Sequence, residues 1–135
     1  MVRVFAFIIA ASALSTTSAH AGTYEKCQAA SGMVDSVLHD CDIAELKTQD
    51  ATLNQIYKTL LHAIDAGRQQ KLRAAQQAWV TFVEAECLFR WSGEVGGTDA
   101  QLIHSGCKLE LTKRRIKELN GELKIVRFLE GVTHR

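Results

Sequence analysis

The sequence predicts an all-α protein: a small disulfide-bridged helical bundle with a long helical hairpin, preceded by a cleavable signal peptide. Three observations carry that reading. Apolar residues recur at three- and four-residue spacing along most of the chain, and no sustained alternation bounded by turn residues marks a strand. Two of the four cysteines, Cys87 and Cys107, bracket a glycine-rich turn, as in a hairpin locked by a sulfur bridge. The N-terminus has the composition of an export signal, and exported small domains use such bridges where the core alone is thin.

In that N-terminus, Arg3 supplies a short positive start and residues 4–14 form an uncharged apolar run too short to span a bilayer. Ala19-His20-Ala21 offers a small-residue cleavage site, so residues 1–21 are expected to be removed and residues 22–135 to form one domain. No cysteine stands at the expected cut, which argues against a lipid anchor. The destination is the periplasm or the exterior. Without Arg3 the 16 basic residues become 15 against 15 acidic ones, and the mature chain is formally neutral. Neutrality gives no footing for nucleic acid or an anionic membrane, both of which need a positive field. No later segment is apolar and long enough for stable membrane insertion.

The chain has no proline, so helix breaks must come from glycine and polar turns. A first helical region is expected near Met33, after Ser31-Gly32, with Val34, Val37, Leu38, Cys41 and Ala44 at helical spacing. Leu53, Ile56, Tyr57, Leu60, Leu61 and Ile64 mark a further stripe, and the pattern leaves open a break near residues 48–50. Gly67, after Asp65-Ala66, reads as the terminator. The second helix is expected from about Gln69 to Trp91, burying Leu72, Ala75, Trp79, Phe82, Val83 and Cys87. Gly93, Gly96 and Gly97 break it, and Thr98 or Asp99 can cap the next helix. That helix carries Leu102, Cys107, Leu109, Leu111, Ile116 and Leu119; Gly121 either ends it or weakens it before a C-terminal helical extension or tail, residues 121–135, in which Leu123, Ile125, Val126, Phe128 and Leu129 precede a polar end.

Geometry restricts the cysteines. On one straight helix Cys27 and Cys41 would lie ~21 Å apart, whereas a disulfide tolerates about 7 Å between α-carbons. A Cys27–Cys41 bridge therefore needs a fold-back, for which Ser31-Gly32 is placed. A Cys87–Cys107 bridge needs antiparallel helices, which the glycine loop permits. These local pairings are favoured; four cysteines allow three arrangements, and crossed ones stay open.

A specific order of motifs now stands out. Leu53-Asn54-x-x-Tyr57 is followed by Leu72-x-x-Ala75-Gln76-x-Ala78-Trp79 and Ala85-x-Cys87. After the glycine loop comes Cys107-x-x-x-Leu111-Thr112-x-x-Arg115-x-x-Glu118-Leu119. Together these resemble the LprI-type lysozyme-inhibitor family over about residues 27–119. The resemblance implies a small exported, cysteine-bridged helical domain that inhibits lysozyme. One departure is Val83-Glu84, where the family tends to place an arginine–acid pair before the third cysteine.

The individual side chains read mainly as structural. Asn54 and Tyr57, one turn apart, fit a buried hydrogen-bonding position. Gln76 fits a satisfied amide inside an apolar face, and Trp79 fits the core. Arg115 and Glu118 sit three residues apart on one helix face, and Arg115 can instead reach Glu84 or Glu86 across the hairpin. Trp91 differs, because at the helix end beside the loop it can anchor a partner. The histidines are scattered, and neither H-x-x-x-H nor C-x-x-C spacing announces a metal. No nucleophile elbow or phosphate loop is present, so the chain reads as a cofactor-free non-enzyme.

The function that follows from the resemblance is occlusion of the glycan cleft of a lysozyme or related peptidoglycan-cleaving enzyme. Residues 92–98, held by the hairpin bridge, are the candidate element, with Arg90, Trp91, Ser92, Thr98 and Lys108 as contacts. Glu94 would oppose an acidic cleft unless it points away. The rival readings are an envelope scaffold that uses an exposed helical face, such as residues 125–129, and an immunity protein against a wall-degrading toxin.

Overall fold

A computed structural model describes residues 21–91 and 97–133. Residues 1–20 of the expected signal peptide, and Ser92 and Glu94 of the expected contact loop, lie outside the described residues. Four helices are present, α1 (Ala21–Ala30), α2 (Asp35–His62), α3 (Ala66–Trp91) and α4 (Thr98–Thr133), and the described residues include no strand.

The longest helix, α4, is the axis of the bundle. It packs along α2 and along α3, while α1 packs on α2. Residue pairs fix the directions. Asp42 meets Ser105 and Glu45 meets Lys113, so α2 and α4 run the same way. Cys87 meets Cys107 and Gln76 meets Arg115, so α3 runs back against α4.

Two clusters make the core. Leu53 and Leu60 of α2 interdigitate with Leu119, Leu123 and Val126 of α4. Nearer the hairpin end, Val83 and Cys87 of α3 close on Cys107 and Leu111 of α4. Trp79 packs against both clusters, so its ring joins the three long helices. Both disulfides are the local ones. Cys27 and Cys41 have α-carbons 5.8 Å apart, and Cys87 and Cys107 5.6 Å apart.

Several expectations need correction. Residues 21–30 form a helix despite lacking an apolar stripe; the bridge to Cys41 and Tyr24 tie it down. Helix α2 passes through residues 48–50 without a break and stops at His62. Gly67 does not terminate it but lies in the first turn of α3, where Asp65 acts as the cap. The Asp65 carboxylate accepts the Arg68 amide at 3.0 Å, and that backbone hydrogen bond holds its pKa below the usual carboxylate value. Gly121 neither stops nor breaks α4, because Leu123 and Val126 beyond it are buried against α2. Their burial outweighs the roughly 1 kcal/mol that a mid-helix glycine costs. On α3 the buried stripe is narrower than its periodicity suggests. Val83 and Cys87 are buried, Leu72 and Trp79 are partly so, and Ala75 and Phe82 are exposed. The cause is that α3 closes mainly on α4.

The α1–α2 turn is compact and strained. Ser31 is buried, and its hydroxyl donates to the Gln28 carbonyl at 2.7 Å while accepting the Met33 amide at 3.2 Å. Gly32 and Met33 both take left-handed φ values, 60° and 64°. Glycine adopts that region freely, whereas a residue with a Cβ does so at a cost of about 1 kcal/mol or more. Met33 is 82% exposed, so little packing offsets the strain. Met33→Gly is therefore expected to raise stability by about 1 kcal/mol, measured as an upward shift of the thermal midpoint.

Candidate functional site

Among the described residues, several exposed apolar side chains stand near the end of the α3–α4 hairpin. Leu88, Phe89 and Trp91 on α3 and Ile103 on α4 are all exposed, Phe89 at 73%. The Trp91 ring lies 6.2 Å from the His104 imidazole at a tilted angle of 56°. Cys87–Cys107 closes the hairpin one helical turn below Trp91, with both sulfurs in the core. The indole thus stands one turn from a covalent cross-link with part of its surface available, as an aromatic anchor requires. Gly97, with φ 84°, turns the chain into α4, and exposed Thr98 begins that helix.

The expected cationic donors are engaged by the protein's own acids. Arg90 donates from Nε to Glu86 and from Nη1 to Glu110, each at 3.0 Å, and these bonds hold its guanidinium firmly charged. The Lys108 ammonium pairs with Glu84 at 2.7 Å, on the hairpin's flank and not at its end. The adjoining N-terminus of α2 approaches that of α4, where Asp35 and Asp99 meet. Their shared hydrogen bond, with some desolvation, raises the Asp35 pKa.

A second polar feature escaped the sequence reading. Asp42 and Ser105, 3% and 2% exposed, meet between α2 and α4. Ser105 Oγ donates to Asp42 Oδ2 at 3.1 Å, and the Tyr24 hydroxyl donates to Oδ1 at 2.6 Å. His39 Nδ1 lies 3.1 Å from the same Ser105 oxygen, and Gln28 donates to the Tyr24 oxygen. Burial and the Asp42 hydrogen bond push the Tyr24 pKa far above the ordinary phenol value, so it stays a donor through neutral pH. Histidine, serine and aspartate are neighbours here, but the connectivity is not catalytic. The serine sits between the other two and is sealed from solvent, whereas a nucleophilic serine must be exposed and bonded to a base held by the acid. The network fastens α1, α2 and α4 together.

Among the described residues, no group of three or more histidines, cysteines, aspartates or glutamates could hold a metal ion. No helix among them is long and apolar enough to cross a membrane.

Comparison with known proteins decides the family. A family model described as "Lysozyme inhibitor LprI" matches residues 27–119, from the first cysteine to the core leucine of α4. The chain belongs to the LprI lysozyme-inhibitor family. It is also 30% identical, over 106 residues, to a protein of Rhizobium meliloti (strain 1021) described as uncharacterized, covering 69% of this chain and 75% of that relative. No solved structure matches it.

The LprI motif positions divide between the helix contacts and the exposed surface. Leu53 is a core residue, Tyr57 packs against the same cluster, and Asn54 is exposed on the outer side of α2. The Asn54–Tyr57 pair therefore does not form one buried polar position. Thr112 is buried at 3%. Arg115 reaches neither Glu84 nor Glu86, which Lys108 and Arg90 occupy. Instead its Nε donates to the Gln76 amide oxygen at 3.1 Å and its Nη1 to Glu118 at 3.0 Å. Gln76 and Arg115 thus form a polar tie between α3 and α4, and the conformation of the LprI hairpin rests on it as well as on the bridge.

Proposed function

We propose that the chain is an exported inhibitor that binds a lysozyme-like glycan hydrolase and occludes its glycan cleft with the end of the α3–α4 hairpin. The family match is the observation that carries the reading. The target class holds two carboxyl groups across a sugar-binding groove. A blocking element must be narrow, preorganised and supplied with donors. Cys87–Cys107 supports the first two demands, because it ties α3 to α4 one turn before Trp91. The donors of the hairpin end are the Trp91 indole N–H and the Thr98 hydroxyl, because Arg90 and Lys108 are held by Glu86, Glu110 and Glu84. Occlusion needs no catalytic group, which agrees with a non-enzyme.

Mature oxidised protein is expected to protect bacterial walls and a soluble glycan from lysozyme at near-stoichiometric concentration. Inactivity against several lysozyme classes would remove the proposal. Trp91→Ala combined with Phe89→Ser is expected to weaken inhibition at least tenfold, since an aromatic anchor is commonly worth 2 kcal/mol or more. Phe89 is 73% exposed and Trp91 43%, so the thermal midpoint should fall by only a few degrees, from the lost Trp91–His104 contact and partial burial. Undiminished inhibition by that variant would move the contact elsewhere.

One observation favours a second reading, an envelope scaffold. Ile125, Phe128 and Leu129 near the end of α4 are exposed, Phe128 at 71%, and give an apolar stripe away from the hairpin end. Capture of a non-hydrolytic envelope protein that Phe128→Ser abolishes, with no effect on wall lysis, would favour it.

A further inference from the structure

The other end of the bundle holds a groove with a different chemistry. It has a volume of about 310 Å³ and opens where the end of α2, the start of α3 and the middle of α4 converge. Its floor is aliphatic: Leu60 and Leu119 belong to the core, and Ile64 and Leu72 pack against it. Ala75 continues the wall and leaves it low. Arg68 and Lys71 stand on the rim, one turn apart on the same face of α3 as Leu72 and Ala75. Arg115 also lines the groove, but its guanidinium is committed to Gln76 and Glu118. Arg68 and Lys71 make no close side-chain ion pair among the described residues, although the neighbouring Asp65 carboxylate feels the charge of Arg68. The lining carries a single acid, Glu122.

We infer that this groove binds a single-chain amphiphile with an anionic head, the aliphatic chain on the leucine–isoleucine floor and the head between Arg68 and Lys71. The chemistry of the lining selects that class. A sugar would strand its hydroxyls on a floor without polar partners, which is costly. A nucleotide would find no aromatic platform in the lining. The rim cations supply charge, and their methylene stems extend the apolar surface that a chain can cover. Carboxylate and phosphate heads share this chemistry, so a fatty acid and a phosphate monoester of a fatty alcohol are both candidates. The inference is independent of lysozyme inhibition, since the groove and the hairpin end are separate places on the molecule.

Calorimetric titration of the mature oxidised protein, below the micelle concentration, tests it with dodecanoate, dodecyl phosphate, dodecyl maltoside and dodecyltrimethylammonium. Both anionic chains, or one of them, should bind at least tenfold more tightly than the neutral and cationic chains; which one does identifies the head. The double variant Arg68→Glu/Lys71→Glu should lose at least tenfold in affinity for the anionic chain and gain affinity for the cationic one. Ala75→Trp, at an exposed position that tolerates bulk, should block every chain. Circular dichroism melts show whether both variants keep the fold, and loss of binding counts only with the melt retained. No binding of either anionic chain to the wild type overturns the inference. Equal binding of all four chains, or an affinity that charge reversal leaves unchanged, overturns it as well.

Discussion

Replacing Cys87 and Cys107 together with alanine is expected to lower stability by about 3 kcal/mol, the loop-closure entropy of a cross-link spanning about twenty residues. For a domain of this size that is a fall in thermal midpoint of roughly 10–20 °C. The single substitution Cys87→Ser should cost more. Cys87 is fully buried beside Val83 and Leu111, so a serine hydroxyl would enter an apolar cluster without a partner. An unpaired buried hydroxyl adds about 1–3 kcal/mol. Far-UV circular dichroism melts of the oxidised mature protein, with the reduced wild type as control, measure both effects. A double-alanine variant melting within a few degrees of the wild type would show that packing alone holds the hairpin closed.

The second bridge separates loop entropy from location. Cys27–Cys41 encloses a loop only slightly shorter, 14 against 20 residues in separation, so chain entropy alone predicts almost the same stabilisation. The structure predicts otherwise. Helix α1 packs on α2 alone among its substantial neighbours, most of its side chains are exposed, and it contributes to neither core cluster. Loss of that bridge should release α1 locally and leave the three long helices folded. Hydrogen exchange would show residues 21–30 unprotected while α4 keeps its protection.

How far the sequence revealed this molecule depends on the range of each interaction. The long helices and the local cysteine pairs were readable because their determinants lie within a few turns of one another. Gly67 reads as a terminator only when its neighbour is given no weight: Asp65, two residues earlier, is a helix cap, and the glycine behind it sits inside the new helix. Phe82 was placed in the core by its spacing from Trp79, but spacing gives a stripe and not its width. Width depends on how many helices close over the stripe, and α3 closes mainly on α4. Gln76–Arg115 and Asp42–Ser105 join residues 39 and 63 positions apart, so no local pattern announces them. The place of Trp91 as the last residue of α3 follows from the glycines that come after it in the sequence. The neutralisation of Lys108 by Glu84 was not legible in this way, because it depends on the register of two helices.

Asp42→Ala is expected to destabilise the protein by about 3 kcal/mol, since hydrogen bonds to charged groups contribute about 1.5–3 kcal/mol each and two are lost. Tyr24 and Ser105 both donate to this carboxylate, one from α1 and one from α4. Without it, Ser105 keeps the Leu102 carbonyl as an alternative acceptor at 3.1 Å, which limits the loss on that side. The other hydrogen bond of Tyr24 is one it accepts, from Gln28, and offers its hydroxyl no alternative acceptor. The damage should therefore fall unequally on the two helices. Asp42→Asn keeps the shape and one acceptor oxygen, but turns an amide NH₂ toward the other donor, so it should cost less than alanine and more than nothing. Tyr24→Phe removes one arm alone. Its ring can still carry the Lys113 ammonium, which lies 4.5 Å from the ring centre, so α1 should loosen without detaching. A double-mutant cycle between Tyr24→Phe and Asp42→Ala, read from thermal melts, isolates that arm as a coupling energy of about 1 kcal/mol or more. A coupling near zero would mean that the disulfide alone keeps α1 on α2, and the buried carboxylate would then serve only the contact between α2 and α4.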